Sequence, residues 1–120
     1  MRAEEIQRRL ERLRNVSQDI EAAALISSEG FIMASVLPES LEEEQIAALS
    51  AGFMGMAERC SGEMGKGSPR QLFINTQDGL ILMMGIGQDA YLTVLASGNG
   101  KPGLILYDMK RAAEDIKGLL

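Results

Sequence analysis

The run IEAAALIS, Ile20 to Ser27, is apolar at both even and odd positions, and FIMASVL, Phe31 to Leu37, continues likewise after Ser28-Glu29-Gly30. A strand with one wet face alternates apolar and polar side chains, whereas one that is apolar on both parities is covered from both sides. The two runs therefore predict a hairpin inside a sheet that has helices over each face, with Gly30 placed where the turn can need a positive φ.

Outward from this hairpin the remaining elements follow. On the N-terminal side, Ile6, Leu10 and Leu13 recur at helical spacing among charged residues from Arg2 to Arg14, which describes an amphipathic surface helix. On the C-terminal side Pro38 breaks the strand. Ser40 with Glu43 then has the spacing of a capping box, and Glu42, Glu43 and Glu44 suit the positive end of a helix dipole. That second helix runs to about Met64, where Gly65, Gly67 and Pro69 end it.

Arg70 to Thr76, Leu80 to Ile86 and Ala90 to Ser97 read as three strands joined by the short turns Gln77-Asp78-Gly79 and Gly87-Gln88-Asp89. After the loop Ser97 to Pro102, one apolar stripe of Leu106, Met109, Ala113, Ile116 and Leu120 marks a final helix. The prediction is a single domain over residues 1–120 in the α/β (α+β) class. It is a three-layer sandwich with a five-stranded, mainly antiparallel sheet in the order α-β-β-α-β-β-β-α.

Composition excludes several functions. The net charge of -5 disfavours nucleic acid, whose phosphates call for a basic face. Arg2, Arg8, Arg9, Arg12 and Arg14 do cluster, but they are interleaved with glutamates in a pattern of Glu4/Arg8 and Glu5/Arg9 pairs on a solvated helix. A single cysteine, Cys60, and the lack of an apolar N-terminal leader point to the cytoplasm, and the longest apolar runs are too short to span a membrane.

The absence of histidine removes imidazole acid-base catalysis, a Ser/His/Asp triad and histidine metal ligation, and one cysteine cannot build a zinc site. No carboxylate pair stands out for dividing acid and base roles. Gly62 to Ser68 looks like a phosphate loop, but its spacing fails and it follows a helix, so it reads as a helix stop. The chain is expected to have no catalytic residues, no cofactor and no metal, and not to be an enzyme.

The second helix carries the functional signal. Between Gln45 and Glu58 it has no charge. On a helical wheel Ile46, Leu49, Phe53, Met56, Cys60 and Met64 form a large stripe suited to the sheet, which places Cys60 in the core. Opposite lie Ala47, Ala48, Ala51, Gly52 and Gly55, with Met54 pointing the same way. Each helical glycine costs about 1 kcal/mol relative to alanine, so close approach of a second helix is the expected compensation. The predicted partner is the same helix of a second copy across a two-fold axis.

AAALISSEGFIMAS at Ala22 to Ser35, AALSAGFMGMAERC at Ala47 to Cys60 and GLILYDMKRAAEDI at Gly103 to Ile116, in that order, resemble the Roadblock family of dynein-light-chain-like domains. The resemblance implies a profilin/Roadblock-like fold. It also implies a dimer in which the central helices lie antiparallel and the strand after the helix pairs across the axis, here Gln71-Leu72-Phe73-Ile74-Asn75. The expected dimer interface is Ala47, Ala48, Ala51, Gly52, Met54, Gly55, Leu72, Phe73 and Ile74.

By the same resemblance, the function expected is a homodimeric, non-enzymatic regulator or scaffold for a small Ras-like GTPase, acting on the GTPase's own catalytic groups. The alternatives are a small-molecule sensor module and a purely structural subunit. Arg59, Arg70 and Arg111 are available as an arginine finger, but each also reads as an ordinary solvated or helix-end charge.

Overall fold

The computed structural model describes residues 2–120. Its elements are α1 (Arg2–Asn15), β1 (Ile20–Ser27), β2 (Ile32–Val36), α2 (Glu43–Glu63), β3 (Gln71–Thr76), β4 (Gly79–Ile86), β5 (Ala90–Ala96) and α3 (Pro102–Lys117). The strands form one sheet in the order β2-β1-β5-β4-β3, every neighbouring pair antiparallel. Hydrophobic patterning thus predicts all eight elements in their observed order, with boundaries that shift by a few residues at most.

Helices α1 and α3 pack together over one face of the sheet, and α2 lies on the other. The larger core joins Ile6, Leu10 and Leu13 of α1 and Ile105, Met109, Ala112 and Ile116 of α3 to Leu25, Leu82, Leu92 and Val94 of the strands. The α3 stripe is rotated slightly from its predicted position. Ile105 and Ala112 are the buried neighbours of Met109 and Ile116, while Leu106 and Ala113 are only partly covered and Leu120 is exposed.

Two local predictions are corrected. No capping box forms: α2 begins after Glu42, which makes no side-chain cap, and the Glu43 carboxylate instead accepts a 2.6 Å hydrogen bond from the Ser35 hydroxyl of β2. A tertiary partner outcompetes the local one. Likewise, neither predicted glutamate–arginine pair of α1 forms among the described residues, and Arg9 turns from Glu5 to Asp115 of α3 at 2.7 Å. That hydrogen bond, with the nearby Arg12 and Arg111 charges, holds the Asp115 carboxyl below its ordinary range.

The second core layer is built from small residues. Ala24 and Ile26 of β1 meet Ala47 of α2, and Ile32, Leu37 and Ile46 close the sides. At its centre the buried Thr93 hydroxyl of β5 donates to the buried Ser50 hydroxyl of α2 at 2.9 Å. Ser50→Ala is expected to destabilise the fold by about 1–2 kcal/mol, since it leaves a buried donor unpaired. Ser50→Ala with Thr93→Val is expected to recover most of that loss. Urea unfolding at fixed chain concentration checks both, and equal losses would show that the hydroxyl pair contributes nothing specific.

Candidate dimer interface

The surface available to a partner follows from which side of α2 is left over. Packing on β1, β2 and β5 takes up Ala47, Ser50 and Met54, with Ala51 and Ala57 half-buried beside them. Ala47 and Met54 are each only 1% exposed. The opposite side presents Leu49 at 54%, Phe53 at 47% and Met56 at 59% exposure, and continues to Cys60 and Met64, both exposed.

The stripe that the sequence assigns to the sheet is therefore the outer one, and the predicted outer face is divided between sheet and surface. The large stripe points outward, and much of the small-residue face lies on the sheet. Ala47 and Met54 cannot meet a partner. Cys60 is a surface thiol, not a core residue. Of the predicted stripe only Ile46 joins the subunit's own packing.

The reason lies in the sheet surface under α2. Ala22, Ala24 and Thr93 offer short side chains there, so a helix face of alanine and serine can settle close to the strands. A face carrying Leu49 and Phe53 would stand farther off and leave the two hydroxyls apart. Apolar periodicity identifies a helix with two faces to bury and cannot say which is the inner one.

Ala48, Gly52 and Gly55 do lie at the surface, and nothing approaches within 4 Å of where a Cβ on either glycine would sit. Ala48 and Gly52 combine with Leu49, Phe53 and Met56 to form a shallow apolar hollow of about 330 Å³. Small residues thus make a notch, and large ones stand at its rim.

The predicted strand residues divide between the two sheet faces. Leu72 and Ile74 pair with Met83 and Ile81 and share the α2 side, half-buried. Phe73 pairs with Leu82, which belongs to the α1/α3 core, so Phe73 points to the other side and is 46% exposed. Edge strand β3 is hydrogen-bonded only through β4 among the described residues, whereas Gln7 of α1 donates to the Ser35 carbonyl of the other edge strand, β2, at 2.8 Å. The edge at β3 carries no such contact among the described residues and is open to addition.

The arginines proposed as fingers have distinct surroundings. Arg59 pairs with Glu63 at 3.6 Å one turn along α2, and Arg111 stacks over the Tyr107 ring at 5.9 Å. Arg70 lines a cleft with Lys110 and Lys117. The glycine-rich segment after α2 is a helix stop as predicted: Gly65 takes a positive φ of 74°, and the Met64 amide bonds back to Cys60. Near the end of α2, partial burial and the Glu58 carboxylate raise the Tyr91 phenol above its ordinary value.

Comparison with known proteins gives the family. The Roadblock/LC7 domain model matches residues 2–96, which include α1, α2 and the whole sheet. The chain belongs to the Roadblock/LC7 domain family. Two uncharacterized proteins of Methanocaldococcus jannaschii are 35% and 34% identical to it over 105 residues, covering 88% of this chain and 91% of each relative.

Among solved structures, Myxococcus xanthus MglB superposes with a TM-score of 0.90 at 17% identity, over 98% of this chain and 92% of that one. A Roadblock/LC7 domain from Streptomyces avermitilis gives 0.85 at 20% identity, over 93% and 94%. A Schizosaccharomyces pombe profilin gives 0.69 at 16% identity, over 94% and 97%, which ties the Roadblock chain to the wider profilin-like fold. The α3 helix lies beyond the matched family region, yet it packs into the same Roadblock core as α1.

Proposed function

We propose that this chain is a homodimeric, non-enzymatic regulator or scaffold for a small Ras-like GTPase. The observation that carries the dimer is the outward apolar face of α2. Leu49, Phe53 and Met56, surrounding the notch at Ala48 and Gly52, make a continuous patch of the kind that marks an interaction site. Two copies placed antiparallel across a two-fold axis would set large side chains of one against the notch of the other. The open β3 edge fits the same assembly, with Leu72 and Ile74 on the α2 side.

The GTPase role rests on membership of the Roadblock/LC7 family and on the fold shared with MglB. In this reading the dimer offers a surface and supplies no catalytic group. A cytoplasmic setting suits it, and no helix among the described residues is long and apolar enough to cross a membrane.

Binding of the purified chain to the source cell's small Ras-like GTPases, each loaded with GDP or with GTP, tests the proposal. Nucleotide-dependent association or a changed hydrolysis rate is expected. Association that ignores the nucleotide would favour a purely structural subunit, and no association with any of them would reject the GTPase reading.

A further inference from the structure

The α1/α3 side of the sheet carries a second surface. Helix α3 packs over β4, which leaves a step down to the edge strand β3. In that step lies a cleft of about 410 Å³, lined by Arg70 and Gln71 at the start of β3, by Met84 to Gly87 at the end of β4, and by Lys110, Ala113, Glu114 and Lys117 of α3. Its cationic groups come from two regions distant in the chain, so their convergence is a product of the fold.

Three features give the cleft a chemistry. Arg70, Lys110 and Lys117 make no ion pair among the described residues, and Glu114 is the one carboxylate beside them. The site is thus net positive on a chain whose overall charge is -5. The half-buried Ala113 lines it between the cations over the buried Met84 and Ile86, and Phe73, 46% exposed, lies farther along β3 on the same sheet face.

We infer that this cleft docks an acidic segment of a partner protein, with carboxylates on Arg70, Lys110 and Lys117 and an apolar side chain toward Phe73. Charge complementarity selects the segment, since acidic side chains gain most where cations lack partners of their own. The exposed Phe73 beside the cations suits a segment that carries both carboxylates and apolar side chains better than a compact ion. The lining residues all come from one chain and lie on the sheet face opposite α2, so the site does not require a GTPase.

The test is an amide-shift NMR titration of the full chain with a synthetic peptide, Glu-Glu-Leu-Glu-Glu-Leu-Glu-Glu. Shifts are expected at Arg70, Gln71, Gly85, Gly87 and Lys117. Lys110→Glu with Lys117→Glu, both exposed positions, is expected to weaken binding by about ten-fold or more, and Glu114→Gln to strengthen it. The inference is overturned if the shifts map to Arg8 and Arg12 of α1, if a peptide with glutamine in place of glutamate binds equally well, or if inorganic phosphate alone reproduces the shifts.

Discussion

Phe53→Glu is expected to convert the proposed dimer to a folded monomer, while Met54→Glu, one residue along, is expected to unfold the subunit. Phe53 is about half exposed on the outer face of α2, so in one chain a carboxylate there stays in water. In a two-fold assembly the substitution acts twice. It removes two apolar contacts of about 1.5–3 kcal/mol each. It also brings two like charges toward a dry interface, so dissociation should rise on the order of a thousand-fold or more.

Met54 is 1% exposed beneath the same helix. An unpaired carboxylate buried there costs more than about 4 kcal/mol, a large share of the 5–15 kcal/mol that holds a small domain together. Light scattering reads the first change and circular dichroism the second. A dimeric Phe53→Glu protein would show that this face is not the interface. A stable Met54→Glu protein would show that α2 packs on the sheet by another face. Gly52→Leu fills the notch beside Phe53 without meeting the subunit's own atoms, so it too should act on the dimer before the fold.

Gly79→Ala is expected to destabilise the subunit by about 2–4 kcal/mol, through a backbone collision and not through lost contacts. Gly79 opens β4 with φ at +158°, and a Cβ there would lie 2.5 Å from the carbonyl oxygen of Ala96 on β5. Neither partner can move alone. Gly79 is paired with Thr76 across the β3–β4 turn, the Thr76 hydroxyl donates to its carbonyl at 2.7 Å, and Ala96 is held opposite Leu80. Relief would have to come from shifting the turn and, with it, edge strand β3. Gly98→Ala, with nothing within 4 Å, serves as the neutral control. Equal urea midpoints for the two variants would show that the turn relaxes freely.

The fold was legible because its information is local. Strands apolar on both parities call for helices on both faces, and IEAAALIS is β1, the strand between β2 and β5 within the sheet. The helix with two faces to bury was legible in the same way, whereas the pairing strand came only from the family resemblance. Single side-chain choices were less so: Ser35 draws Glu43 away from its cap, and Asp115 draws Arg9 away from Glu5, because each finds its better partner in a distant segment.

By itself the sequence determined the element order, the three layers, the family likeness and the presence of an uncharged central helix with more apolar surface than one subunit can cover. Only the tertiary structure decided which face of that helix turns inward, and that Arg70 stands beside Lys110 and Lys117. Hydrophobic periodicity records how much of a helix must leave water. The choice between inside and partner depends on the shape of the surface opposite, and here the short side chains of Ala22, Ala24 and Thr93 admit the small face of α2 and leave Leu49, Phe53 and Met56 outside.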